Sequence, residues 1–150
     1  MQIALIEQLP ILETLLQSVL RKSPYRSQIV LQKAEKTRLY DLALSDRIFF
    51  SEPHFCRAQL YLVPSEAKME KNFFCGTLLT GGMSAADPVS LSSIGEDRAV
   101  LCVQQEICLC GKNIDPFEKP IPFDRNFSLF KNLAAGFVLA LTEQIFGEES

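Results

Sequence analysis

The chain has 150 residues, 47% hydrophobic and 22% charged, with no Trp, 7 Gly and a formal net charge of −3. That balance points to one globular domain over residues 1–150, with a core that needs no staples, and excludes a collagen, a low-complexity chain and a disulfide miniprotein. The charge gives no nucleic-acid footprint, and no apolar run approaches the ~20 residues of a membrane helix.

The start, MQIALIEQLPILETLL, lacks the basic region of a signal peptide and is interrupted by Glu7, Pro10 and Glu13. Five cysteines without secretory context fit a reducing, cytoplasmic setting. Residues 1–75 carry 10 basic and 8 acidic side chains, residues 76–150 carry 5 and 10. Arg21, Lys22, Arg26, Lys33, Lys36 and Arg38 read first as a solvated face, and second as a site for an anion or an acidic partner.

In chain order, the apolar run Gln2–Ile6 predicts a buried strand, and Leu12, Leu15, Leu16, Val19 and Leu20 recur at helical spacing. Pro10 suits a first turn, and Ser23-Pro24 ends the helix, which gives a helix over 10–22. Ser27–Leu31 predicts a second strand, Ala34–Leu44 a second and weaker helix, Arg47–Phe50 a third strand and Gln59–Val63 a fourth. Strand–helix alternation of this kind is the pattern of a parallel sheet with crossover helices.

After Lys71 the character changes. Phe73–Thr80 reads as a central strand broken by Gly81-Gly82. Val89–Ile94 and Ala99–Leu109 follow as strands, with a further short strand after the Gly111-Lys112-Asn113 turn, together an antiparallel meander. Pro116, Pro120 and Pro122 favour an edge strand or loop. Residues 127–146 form the clearest helix, with Phe130, Leu133, Ala134, Phe137, Val138, Leu141 and Ile145 on its apolar face and Gly147 as its cap. The expected fold is therefore a single three-layer α/β domain. Its mainly parallel, Rossmann-like sheet is extended by an antiparallel meander, with the C-terminal helix packed on the sheet.

The chemistry is sparse. On one continuous strand Cys102, Cys108 and Cys110 would share a face, but six residues at ~3.3 Å each hold Cys102 and Cys108 too far apart for one tetrahedral ion. No metal site is expected, and the cysteines read as packing residues. The turn after the first strand, Glu7-Gln8-Leu9-Pro10, has no glycine, and Glu7 would repel a pyrophosphate. Neither phosphate-loop motif is present, so no nucleotide cofactor is expected. His54, the sole histidine, and Glu52 sit in a segment read as a loop at a strand end, where α/β sheets bind ligands. Thr80-Gly81-Gly82-Met83-Ser84 is the loop of most interest, because two glycines permit positive φ and an anion-binding nest, with Asp87 just beyond. Its plainer reading is a tight reversal in which Asp87 bonds its own backbone. The candidate ligand-binding residues are thus Glu52, His54, Gly81, Gly82, Ser84 and Asp87; no catalytic residue is assigned.

Leu78-Leu79-Thr80-Gly81-Gly82-Met83-Ser84 followed by Asp87, an antiparallel excursion, and then Phe127-Ser128-Leu129-Phe130-Lys131-Asn132-Leu133-Ala134-Ala135 opening a helix that ends at Phe146-Gly147 resemble, in their order, the late half of the central domain of the Mur ligase family. These are ATP-dependent ligases that add amino acids to peptidoglycan precursors and related molecules. The resemblance covers residues 59–147, with Gln59–Val63 standing for the preceding strand. The family's phosphate-binding loop and flanking domains have no counterpart. Its helix-start asparagines align with Ser128 and Lys131, and its preceding glycine with Arg125. The resemblance therefore implies a ligase-like domain stripped of its chemistry: a non-catalytic binding or regulatory protein whose partner is another protein or a second copy, not a nucleic acid or a membrane. The alternatives are a small nucleotide-binding protein or enzyme with its site at Gly81–Asp87, and one subunit of a split ligase.

Overall fold

A computed structural model describes residues 1–7, 9–47, 56–67 and 76–147. Strand β1 (Gln2–Ile6) leads into helix α1 (Ile11–Leu20), with Pro10 at its N-cap. A 3-10 turn at Arg26–Gln28 precedes β2 (Val30–Lys33), which pairs in parallel with β1. Then come β3 (Leu39–Ser45), β4 (Arg57–Pro64), β5 (Thr77–Gly82) and β6 (Val89–Ser92). The chain closes with β7 (Arg98–Val103), β8 (Ile107–Leu109), β9 (Lys112–Ile114), β10 (Phe117–Pro122) and α2 (Leu129–Phe146).

Among the described residues eight strands form one sheet, in the order β10-β7-β6-β5-β4-β3-β1-β2. From β2 through β6 every pairing is parallel, and β7 and β10 add antiparallel pairings at one end. The mostly parallel sheet, the antiparallel extension and the packed C-terminal helix are as the sequence pattern predicts. A separate hairpin of β8 and β9 departs between β7 and β10.

The expected helix over Ala34–Leu44 is overturned: Leu39–Ser45 is a strand between β1 and β4. A strand covered on both faces loses its alternation, so Leu39, Leu42 and Ala43 satisfied a helical template by accident. The second strand starts later than expected, since Ser27 and Gln28 lie in the 3-10 turn. Arg47 lies outside any strand, and the rest of the expected Arg47–Phe50 strand falls outside the described residues, as do residues 73–75 of the Phe73–Thr80 strand. The expected strand Ala99–Leu109 is two strands, broken at Gln104–Glu106.

Most of the core lies on one face of the sheet. Ile3, Leu5, Leu42, Leu44, Leu60, Leu62 and Leu79 pack there with both helices. Ala4, Ile6, Ala43 and Tyr61 belong to a smaller cluster on the opposite face. Helix α2 is apolar nearly all round, as a helix enclosed on most sides must be. It is the one described helix long and apolar enough to cross a membrane, yet 61% of that stretch is buried within the fold, as in any core helix. Gly136 lets α2 approach β10, because a Cβ there would run into the Ile121 side chain.

Helix α2 is entered through a pinned turn. Asn132, 2% exposed, accepts from the Asp124 N–H at 2.8 Å and donates to the carbonyls of Asp124, Phe127 and Ser128. The Ser128 hydroxyl caps the helix by accepting from the Lys131 N–H at 3.1 Å. Lys131 in turn bonds Asp46, just past β3, at 2.6 Å. These contacts hold the amino end of α2 over the carboxyl ends of the central strands.

Candidate functional site

The carboxyl edge of a parallel sheet is where α/β domains gather their ligand sites. Here the ends of β4 and β5 and the first turns of α2 enclose a cavity of about 390 Å³. Pro64, Ser65 and Glu66 contribute from the end of β4. Gly81, Gly82, Met83, Ser84 and Asp87 contribute from the end of β5 and the loop beyond it. Leu129, Phe130 and Leu133 of α2 and Leu91 of β6 complete the apolar wall.

The loop is short because β6 begins where β5 stops: Gly81 pairs with Val89 and Gly82 with Ser90. The chain need not run back along the sheet, so residues 83–88 suffice for a parallel connection that ordinarily takes a dozen residues or more. Asp87 closes this loop. Its Oδ2 accepts from the Ser84 N–H at 3.1 Å, its own N–H donates to the Ser84 carbonyl at 3.0 Å, and the Ser84 hydroxyl accepts from the Ala86 N–H at 3.1 Å. The plainer reading holds for the bonding of Asp87, but the tight reversal it assumed is overturned, because β5 and β6 run parallel.

The glycines work differently from the expectation. Neither Gly81 nor Gly82 has positive φ; both are strand residues, and the nest geometry is not formed. They are glycine because neighbours come too close for a side chain. A Cβ on Gly81 would lie 2.7 Å from Leu133 Cδ2, and one on Gly82 would lie 2.5 Å from Asp87 Oδ2 and 2.7 Å from Ser65 Oγ. Gly82 therefore lets a carboxylate and a hydroxyl converge on the cavity floor.

Of the residues singled out in the sequence, the fold brings Gly81, Gly82, Ser84 and Asp87 together; Glu52 and His54 lie outside the described residues. Sequence reasoning missed Ser65 and Glu66, which lie just past the expected Gln59–Val63 strand with no motif to mark them. It also missed Leu129, which was not placed on the apolar face of the helix, and Phe130 and Leu133, whose apolar spacing marked core and carried no sign of a cavity.

Elsewhere on the carboxyl edge, Glu7 sits in the turn from β1 into α1. Its Oε1 accepts from the Leu12 N–H at 2.8 Å and its Oε2 from the Glu13 N–H at 3.0 Å, so the amino end of α1 already holds an anion of the chain's own.

Among the described residues no three His, Cys, Asp or Glu side chains come together as a metal site. The shared strand face expected for three cysteines is not formed: Cys102 is on β7, Cys108 on β8 and Cys110 in the turn after it. Burial pushes the Cys56 thiol up to about 11, and raises Cys102 and Cys110 as well, with the carboxylates of Glu118 and Asp41 adding to the rise. Nucleophilic cysteines need the opposite shift. Comparisons with protein-family models, curated proteins and solved structures find no match to this chain.

Proposed function

We propose that the protein is a non-catalytic binding protein that takes a small molecule in the cavity between β4, β5 and α2. The observation that carries this reading is the pairing of a pre-formed cavity, sited at the carboxyl ends of β4 and β5 under α2, with an α1 amino terminus already occupied by Glu7. The first favours binding. The second argues against the usual route to ATP or NAD on this topology.

The degenerate Mur-ligase-like ancestry is part of the same proposal. It rests on the order of pieces over residues 59–147, and it accounts for a ligase-like cleft without a phosphate loop. A Rossmann-like third layer, over the face that carries Ala4, Ile6 and Tyr61, belongs with it.

Thermal melting of the full chain against ATP, ADP and UDP-sugars with Mg²⁺ tests the reading, since a ligand that binds only the folded state raises Tm by mass action. The expected result is no shift at millimolar nucleotide. A nucleotide-dependent rise that disappears in Gly82→Ala would instead support the nucleotide-binding alternative.

A second reading, association through the β2 edge, is favoured by an asymmetry between the two sheet edges. On β10, Pro120 and Pro122 lack N–H donors, which blunts that edge. On β2, the Val30 N–H bonds the Met1 carbonyl and the Ala34 N–H bonds the Leu5 carbonyl, so the alternate Leu31 and Lys33 N–H groups face outward. Light scattering over a range of concentrations tests it; a strict monomer would end the association reading.

A further inference from the structure

We infer that the ligand of this cavity is a protonated amine attached to a compact apolar body, with Asp87 as its anchor. The inference rests on the binding reading above and adds the chemical class.

Asp87 is 6% exposed, and Ser84 N–H, on Oδ2, is the one donor that reaches its carboxylate among the described residues. No buried side-chain oxygen among them is left without a partner, so Oδ1, which accepts no bond, keeps some exposure, on a residue that lines the cavity. A carboxylate enclosed this far is costly to leave with one bond, and a cation supplies the missing partner best. Among the described residues no Lys, Arg or His lines the cavity, and its second charged group, Glu66, is also acidic. The nearest candidate cation on α2, Lys131, is engaged by Asp46. An anionic ligand would meet two carboxylates and, among the described residues, no counter-charge.

The opposite wall is apolar. Leu133 is buried, while Met83 and Leu129 are 51% and 46% exposed at the rim, an arrangement that leaves apolar surface for a ligand to cover. Phe130 places an aromatic ring in the same wall. The volume, about 390 Å³, is near the low end for ligand pockets, which selects a compact body.

The test uses three probes with one carbon skeleton: 3-methylbutylamine, 3-methylbutan-1-ol and 3-methylbutanoate. Binding to the full chain is followed by amide ¹H–¹⁵N shifts at Ser84, Asp87, Leu129 and Phe130. The amine is expected to bind about tenfold more tightly than the alcohol, and the acid more weakly still. Asp87→Asn keeps an acceptor for the Ser84 N–H and should remove the preference for the amine. Should that variant fold poorly, Glu66→Gln, at an exposed position, should still reduce the preference. Equal or tighter binding of the acid overturns the inference. So does a response to Mg²⁺ alone, which would make the site a cation site with no apolar body. If the amine fails while the alcohol, the acid or another member of a general fragment set shifts the same amides, the inference falls and the binding reading stands. If nothing shifts them, both fall.

Discussion

Gly82 and Asp87 sit so close that a Cβ on the glycine would lie 2.5 Å from the aspartate Oδ2. The contact joins the last residue of β5 to the end of the loop that leads into β6. Gly82→Ala should therefore push Asp87 and Ser65 aside and disturb the Ser84–Asp87 bonds. Overpacking of this kind costs about 1–3 kcal/mol, with the lower part of that range expected because both neighbours are side-chain ends able to yield. Denaturant melts of the two proteins measure it, and an unchanged midpoint would show that the cavity floor has slack.

Removing Glu7 should loosen the start of α1. Its carboxylate takes two first-turn N–H groups and places negative charge at the positive end of the helix. Pro10, at the N-cap, makes no side-chain cap bond of its own. Glu7→Ala should cost about 1 kcal/mol, with Glu7→Gln costing less because it keeps one acceptor. Circular dichroism melts of the two variants order the effects. Equal losses would assign the cap to charge alone.

How far these features could be read from the sequence varies along the chain. β1 was legible as an unbroken apolar run, and α1, β4 and α2 by apolar spacing that a proline or a glycine bounds. β3 was not: Tyr40, Leu42 and Leu44 are all 1% exposed or less in mid-sheet, and a strand enclosed on both faces gives no alternation to read. The loop Gly81–Asp87 was legible as punctuation, but the reason for its glycines was not. Two glycines in a row suggest positive φ, whereas here they make room for Leu133, Ser65 and Asp87, and those neighbours come from distant segments. For the same reason the cavity's apolar wall was invisible. Phe130 and Leu133 obey the helical period that marks any packed face, and only the position of α2 over the ends of β4 and β5 turns them toward a ligand.

The hairpin of β8 and β9 turns on Cys110 and Gly111, both with positive φ, at 53° and 75°. Two residues of positive φ between paired strands are the requirement of a type I′ turn, which usually takes Asn-Gly. A Cβ on Gly111 would meet nothing within 4 Å, so Gly111→Ala isolates the backbone cost, about 1–2 kcal/mol. Cys110→Asn should be tolerated far better than Cys110→Val, since a β-branched residue is a true outlier in this region. Comparing the three melting temperatures checks both statements. A neutral Gly111→Ala would mean that the turn shifts to another type.

Cys56 gives the fold an alkaline limit. Burial raises its thiol from the ordinary 9.0 to about 11, so between those values the unfolded chain has lost the proton while the folded chain keeps it. The folded state then binds more protons, and stability falls as pH rises through this window. Below pH 9 the contribution is complete. Cys56→Ala should flatten part of the decline in unfolding free energy between pH 9 and 11, leaving slope from Cys102 and Cys110, which are raised in the same direction. Denaturant titrations of both proteins at several pH values measure the difference, and parallel curves would place the alkaline sensitivity elsewhere.

The last prediction concerns Lys131 and Asp46, which bond at 2.6 Å although 85 residues separate them. Their side chains are 15% and 27% exposed, so water screens the pair less than it would a surface pair. Lys131→Met keeps the aliphatic stem and leaves Asp46 partly enclosed without its cation, at a cost of about 1–3 kcal/mol. The pair links the end of β3 to the first turn of α2, which roofs the cavity. Loss of the pair should therefore also weaken any ligand bound there, whereas Gly111→Ala, in the separate hairpin, should lower stability alone. A double-mutant cycle with Asp46→Asn should return a coupling of about 1 kcal/mol. Additive effects of the two substitutions would mean that the pair does not hold α2 in place, and that the pinned turn around Asn132 suffices.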